Sequence, residues 1–256
     1  MILILGGTQD GRELAEMLAA AGEDVCLSSV TEFAGELAFP YENLKIHVGA
    51  LNEDGIVALA QELHADLIAD ASHPYARIAS DNACTAAKRL GIPRVRLERE
   101  HAVFGSDARG YNSDVELAAA LSDYLKTHYG NVLFTTGSKS LEAWQCIPID
   151  RQVIRVLPSS GVLEKCESFG YKPSQIIAVQ GPFSKEENLD ALKKYDICAL
   201  VTKDSGHTGG TQAKIEAAAE ADVPVFYLKR PGYPNTVAAD SPEKVFRIIM
   251  EKLHRD

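Results

Sequence analysis

Long apolar runs are missing from this sequence: nothing in it approaches the roughly 18 consecutive apolar residues that a membrane-spanning helix requires. A basic leader is missing too. The chain opens directly into the apolar run Ile2–Leu5, which predicts a cytoplasmic protein with no secretion signal and no membrane partner. Cysteine is sparse and unpatterned. The five residues Cys26, Cys84, Cys146, Cys166 and Cys198 include no CxxC pair, so they predict buried thiols in a reducing compartment and no protein-bound metal. Positive charge is short. With 26 Lys and Arg against 36 Asp and Glu the formal net charge is -10, which excludes a general nucleic-acid binder, because phosphate contacts need a basic surface. A local cluster of Lys and Arg can still hold an anionic ligand, since distant carboxylates are screened by salt.

What remains is an ordinary globular composition, 46% hydrophobic and 24% charged over 256 residues, enough for one large core or two smaller ones. Short β-rich runs at Ile2–Leu5, Val25–Ser29, Lys45–Val48, Leu67–Ala71 and Arg94–Leu97 alternate with helical periodicity at Arg12–Ala21, Glu53–Leu63 and Ala76–Leu90. The alternation resumes with strands near Val132–Thr135, Val153–Leu157, Ile176–Val179, Ala199–Thr202 and Val225–Leu228, and helices at Ser184–Tyr195, Thr211–Glu220 and Pro242–Leu253. Continuous apolar strands between helices predict parallel sheets covered on both faces. About ten strands are too many for one small sheet, so the sequence predicts an α/β protein of two doubly wound domains, residues 1–100 and 101–256. The polar stretch His101–Ser113 is the expected linker, and the helix Asp114–His128 can dock on either half.

The first strand runs into Gly6-Gly7-Thr8-Gln9-Asp10-Gly11-Arg12 and then a helix. Glycines let the backbone turn tightly and approach a phosphate, and the helix N-terminus offers N–H groups and a favourable dipole. This predicts a site for the diphosphate of a nicotinamide dinucleotide, although the second glycine comes one residue earlier than in G-x-G-x-x-G. The second strand ends in Ser28-Ser29-Val30-Thr31-Glu32, and no Lys or Arg occurs from Ser28 through Leu44. Hydroxyls and an acid suit a plain ribose better than a 2′-phosphate. That tilts the reading toward NADH over NADPH, which Arg12 or a residue of the second domain could reverse.

Ligands in open α/β sheets bind beyond the carboxyl ends of the strands. The strand Leu67–Ala71 empties there into Ser72-His73-Pro74-Tyr75, where His73 offers acid/base chemistry and Tyr75 a flat, hydrogen-bonding face. In the second half, Thr135-Thr136-Gly137-Ser138-Lys139, Gln180-Gly181-Pro182-Phe183-Ser184 and Thr202-Lys203-Asp204-Ser205-Gly206 all follow apolar strands and share one sheet edge. Lys214, Arg230, Arg96 and Arg99 lie near further element ends. Several such charges in a partly desolvated place could hold a polyanion, each charged hydrogen bond contributing roughly 1.5–3 kcal/mol.

The set I-L-G-G-T-x-x-G-R (Ile4 to Arg12), D-A-S-H-P-Y-A (Asp70 to Ala76), R-L-E-R (Arg96 to Arg99), T-T-G-S-K (Thr135 to Lys139), G-P-F-S (Gly181 to Ser184) and T-K-D-S-G (Thr202 to Gly206) resembles the precorrin-6A reductases of cobalamin biosynthesis. The resemblance runs to Arg230-Pro231. It implies two Rossmann-like domains with a polyanionic tetrapyrrole in a cleft between them, and transfer of a hydride from NADH or NADPH to C19 of the ring while C18 gains a proton. Carried over, it places Gly6, Gly7, Thr8, Gln9 and Arg12 at the cofactor loop, with Ser28, Ser29 and Thr31 near the ribose. His73 and Tyr75 become candidate catalytic residues, water being the third candidate proton donor. Arg99, Gly137, Ser138, Lys139, Ser184, Lys203, Asp204, Ser205 and Lys214 become substrate contacts. Thr31-Glu32-Phe33 and Val48-Gly49-Ala50-Leu51 replace the arginine and the G-G-F-G-G of many members acting on the cobalt-free ring, which resembles the cobalt-handling members. Any cobalt then arrives in the substrate. Two other readings stand beside this one: a non-catalytic dinucleotide sensor, and a reductase of another small polar unsaturated acid. The sequence leaves the oligomeric state open.

Overall fold

A computed structural model describes residues 1–30, 41–206, 209–232 and 237–254. Two six-stranded parallel sheets organise the chain. In the first, β1 (Ile2–Leu5), β2 (Val25–Ser29), β3 (Leu44–Val48), β4 (Leu67–Asp70), β5 (Arg94–Leu97) and β12 (Val237–Ala239) take the order β12-β5-β4-β1-β2-β3. The second contains β6 (Arg109–Tyr111), β7 (Asn131–Phe134), β8 (Gln152–Val156), β9 (Ile176–Ala178), β10 (Ile197–Lys203) and β11 (Val225–Leu228), in the order β6-β11-β10-β7-β8-β9. Starting from β1 and from β7 the two orders are the same doubly wound pattern, and only the origin of the last strand differs. The first sheet takes it from the end of the chain; the second takes it from just ahead of its own first strand.

The compact units follow this exchange. One is Met1–Glu100 with Pro231–Asp256, and the other is His101–Arg230. The expected second domain, 101–256, is therefore corrected: β12 pairs with β5, and helix α8 (Pro242–Leu253) packs against α1 (Gln9–Ala20) and β5. The expected linker is corrected as well, because Arg109–Tyr111 pairs with β11 and α4 (Asp114–Tyr124) packs on β6 and β11 of the second unit.

Side-chain alternation explains the unbroken apolar strands. Ile2 and Ile4 face a layer containing Leu14, Leu18, Val245 and Ile249, while Leu3 and Leu5 face Ile56, Ala60, Ala83 and Ala86 of α2 (Glu53–Glu62) and α3 (Arg77–Leu90). A strand buried on both sides has no solvent face to make polar. In the second unit Leu133, Val153 and Leu200 pack under α6 (Lys185–Lys194) and α7 (Thr211–Glu220), with α5 (Ser160–Ser168) following β8. After β7 comes a 3-10 helix, Ser138–Cys146, where Trp144 packs on Phe134. The cysteines are all free, but only Cys26 and Cys166 are buried; Cys84 and Cys198 are partly exposed and Cys146 is exposed, which corrects the expectation of five buried thiols. Among the described residues no helix is long and apolar enough to cross a membrane.

Candidate functional site

In the first unit the glycine turn is held by its neighbours. The Gly6 N–H donates to the Ser28 carbonyl at 2.9 Å, tying the turn to the end of β2. At φ +154°, a Cβ on Gly6 would stand 2.4 Å from the Ala71 carbonyl oxygen, so only glycine fits between the ends of β1 and β4. Helix α1 starts at Gln9, three residues earlier than expected, with Thr8 as its N-cap: Thr8 Oγ1 accepts from the Gly11 N–H at 3.3 Å and donates to Ala71 O at 3.2 Å. Gly11 is a residue that sequence reasoning passed over. Its own Cβ would lie 2.9 Å from the Gly6 carbonyl oxygen and 3.3 Å from the Ala71 side chain, which lets α1 lie close on the sheet. The third glycine of G-G-T-x-x-G carried that signal.

Charge at this helix end is balanced internally. Asp10, buried in the first turn, is ion-paired with Arg99. Neutralising Asp10 leaves the α1 dipole open to a phosphate. Arg99, expected at the substrate, is seen here paired to the first turn of α1. Arg12 is only partly exposed and forms no ion pair among the described residues. At the end of β2, Ser28 Oγ lies 3.0 Å from His47 Nδ1 of β3, and Ser29 is buried. Thr31 and Glu32 fall outside the described residues.

The β4 loop abuts this turn through Ala71, so the sequence-predicted cofactor and catalytic segments meet at the point where strand order reverses. Asp70, the last residue of β4, is 1% exposed and organises the loop. Its Oδ1 accepts from the Ser72 N–H and hydroxyl; its Oδ2 accepts from Ser80 Oγ, from Arg94 at 2.6 Å and from Arg96 at 2.8 Å. Burial alone would raise the Asp70 pKa, yet the buried Arg96 charge, hydrogen bonds from Ser72 and Ser80, and Arg94 together hold it below the usual carboxylate value. Beyond this anchor His73 is exposed and Tyr75 half-buried, their rings 5.9 Å apart. The Tyr75 N–H donates to His73 Nδ1 at 3.2 Å, so a neutral His73 carries its proton on Nε2.

In the second unit, the ends of β7 and β10 lie side by side at the equivalent reversal. Lys203 Nζ donates to the Thr136 carbonyl at 3.0 Å. Burial lowers the Lys203 pKa, with Asp114 opposing and Lys139 adding to the shift. The Thr136 and Thr202 hydroxyls are buried and have no hydrogen-bond partner among the described residues. Gly137 takes φ +76° and opens into Ser138 and the exposed Lys139. Two expected substrate residues have other tasks. Asp204 accepts from the Ala102 N–H at 3.1 Å and pairs with His101 and Arg230, so its buried carboxylate ties the two points at which the chain enters and leaves this unit. Among the described residues Asp204 is engaged as a structural clamp. Ser184 caps α6, accepting from Glu187 N–H while the Glu187 carboxylate accepts from the Ser184 N–H. The Ser205 N–H donates to Thr211 Oγ1 at 3.1 Å, fixing the turn before α7.

Near α7 stands a second cationic pair. Lys214 donates to Gly209 O at 3.4 Å. Burial, and then the Arg155 charge, pull its amine down to about 8. Arg155 of β8, which sequence reasoning missed because it reads as a strand interior, is 7% exposed and lies over Phe183 of the G-P-F-S loop. Among the described residues no group of three or more His, Cys, Asp or Glu could hold a metal ion.

Comparison with known proteins follows this geometry. The family described as Precorrin-6x reductase CbiJ/CobK matches residues 1–250. A protein of Priestia megaterium named cobalt-precorrin-6A reductase is 37% identical over 235 residues, covering 90% of this chain and 91% of its own. A namesake in Methanothermobacter thermautotrophicus is 34% identical over 234 residues, 90% of this chain and 76% of its own. Among solved structures, one titled CobK precorrin-6A reductase superposes with a TM-score of 0.77 at 23% identity, covering 98% of this chain and 96% of that one, and shares the fold.

Proposed function

The chain belongs to the precorrin-6x reductase family, and from that premise we propose that it reduces cobalt-precorrin-6A, delivering a hydride from a nicotinamide dinucleotide to C19 of the macrocycle. The observation that carries the site is the Gly6–Thr8 turn locked against Ala71, which sets the N-terminus of α1 beside the loop of His73 and Tyr75. The cofactor, when bound, supplies the hydride. The chain's part is to hold and orient. Gly6 and Gly11 keep the turn low, α1 and Arg12 attract the diphosphate, and Ser28 and Ser29 at the end of β2 offer hydroxyls for the ribose. C18 takes a proton, balancing a two-electron reduction of one double bond, and His73, Tyr75 and water are the candidate donors. In the second unit Lys203, Lys139, Gly137, Ser138, Ser205 and Lys214 supply donors for the carboxylate arms of the substrate. The family match spans both units, which leaves a sensor sharing only the dinucleotide half without support. The cobalt form is favoured by the names of the relatives above and by Val48-Gly49-Ala50-Leu51.

The test is direct. Purified protein given precorrin-6A or its cobalt form should oxidise NADH in one-to-one proportion to a two-electron change in the tetrapyrrole spectrum. NADH should exceed NADPH in kcat/KM, because no Lys or Arg occurs from Ser28 through Leu44. Absence of both signals in every combination sinks the reading. A second expectation concerns Gly7, which is exposed at the turn. Gly7→Leu should weaken dinucleotide binding by at least about tenfold, the equivalent of about 1.4 kcal/mol, with an unchanged melting temperature. Equal affinity by calorimetric titration would remove the diphosphate from this turn.

A further inference from the structure

We propose that Arg155 and Lys214, on either side of the Gly181–Ser184 loop, form a built carboxylate-binding subsite that takes one acidic arm of the tetrapyrrole. This rests on the reading just given and adds Arg155 to it.

Two cations of like sign are held here out of water. The Arg155 guanidinium is stacked 4.2 Å over the Phe183 ring, and one of its nitrogens donates to Asn188 Oδ1 at 2.6 Å. Its Nε is buried with no hydrogen-bond partner among the described residues. Lys214 has one long hydrogen bond, to a neutral carbonyl. Neither forms an ion pair among the described residues. Glu187 acts on Arg155 without an ion pair to it, and its carboxylate is turned to the Ser184 N–H in the cap of α6. Burying one uncompensated cation is costly, and burying two beside each other adds repulsion. Such an arrangement is the signature of a group awaiting an anion.

The loops make a single cluster of these parts. A Cβ on Gly210 would lie 3.5 Å from Pro182 Cβ and 3.8 Å from the Phe183 nitrogen, so the turn that carries Lys214 is packed on the loop that stacks on Arg155. Arg155 and Phe183 also line an open cleft of about 590 Å³ in which Lys193 and Lys194 stand beside Glu187 and Asp190. Both cations lie at the carboxyl edge of the second sheet or on the helix leaving it, as ligand-binding residues do in doubly wound folds. A planar guanidinium with its Nε open suits a carboxylate, which can accept two parallel hydrogen bonds, and an ammonium adds a point charge.

Arg155→Met, Lys214→Met and Lys214→Arg would be compared with the wild type in steady-state kinetics with cobalt-precorrin-6A and NADH, and in thermal melts with and without the tetrapyrrole. Each Met variant should raise the tetrapyrrole KM by about tenfold or more, the scale of one charged hydrogen bond, with the NADH KM unchanged. Lys214→Arg should restore it. Because removal of a like charge relieves repulsion, ligand-free Lys214→Met should melt no lower than wild type, and its melting point should no longer rise with tetrapyrrole. A lower ligand-free melting point with unchanged KM makes the pair structural and overturns the subsite. A raised NADH KM assigns the cations to the dinucleotide and also overturns it. If the wild type itself shows neither turnover nor a tetrapyrrole-induced shift, the reading of function falls and this subsite with it. Wild-type turnover with unaffected variants removes the subsite alone.

Discussion

Asp70→Asn is expected to destabilise the amino-terminal unit by about 3–5 kcal/mol, the cost of stripping the partner from buried charge. Arg96 is wholly buried and Arg94 nearly so, and both donate to Asp70 Oδ2. Asparagine keeps the size of the side chain but replaces an acceptor with an N–H₂ group or leaves a neutral oxygen between two guanidiniums. The comparison therefore isolates charge from packing. Urea unfolding of the two proteins gives the difference, and a value under about 1 kcal/mol would mean that Ser80 and Ser72 hold the cluster without the charge.

The same substitution should change the acid limb of stability. Asp70 is held below the ordinary carboxylate value in the folded chain, so the unfolded chain takes up its proton first as pH falls. Its contribution is full above about pH 4 and is lost as pH drops through the depressed folded value. Wild type should lose stability over that interval more steeply than Asp70→Asn. Activity should fall with stability, since Asp70 Oδ1 fixes Ser72, the residue before His73. A variant that stays folded but shows reduced kcat at unchanged NADH KM would mark Asp70 as a positioning residue for that loop.

Why Asp70 escaped the sequence reading is instructive. D-A-S-H-P-Y-A displays an acid, but an acid ending a strand reads the same whether it meets a ligand, an arginine or water. The partner is Arg96, 26 residues on in the next strand, β5, and the sequence does not say that β5 lies beside β4 in the sheet. The counterions of Arg99 and Asp204 were hidden for the same reason: a strand-end charge is visible in sequence, its partner is not. Ile2–Leu5 and Val225–Leu228 were legible because burial on both faces leaves an unbroken apolar run. Arg109–Tyr111 and Val237–Ala239 were not, being three-residue edge strands whose side chains are mostly exposed or partly exposed. Their position is set by the neighbours β11 and β5, and a segment so short carries no period of its own. The tight glycine turn was legible from the sequence, but the Ala71 contact that forces Gly6 and Gly11 required the fold.

Truncation after Arg230 should abolish dinucleotide binding even though every residue from Met1 to Glu100 remains. On the sequence the last helix belonged with its neighbours in the second half. An amphipathic pattern states that one face is buried, not what buries it. Val245 and Ile249 are fully buried in the layer that holds Leu14 and Leu18 of α1, and α1 presents its N-terminus to the cofactor turn. Removing residues 231–256 strips that helix of its partner and leaves the β5 edge without β12. Each fully buried aliphatic side chain lost forfeits roughly 1.5–3 kcal/mol of transfer energy, a large part of the 5–15 kcal/mol typical of a domain. A point variant tests the same packing without deleting backbone: Ile249→Ala should cost about 2–5 kcal/mol. Its unfolding should be led by the amino-terminal unit, visible as loss of dinucleotide binding at denaturant concentrations that leave the Trp144 fluorescence of the second unit native. If the 1–230 fragment still binds NADH with wild-type affinity, or Ile249→Ala first disturbs Trp144, then α8 is not a structural part of the cofactor half, and the exchange of terminal strands between the two sheets has no energetic consequence.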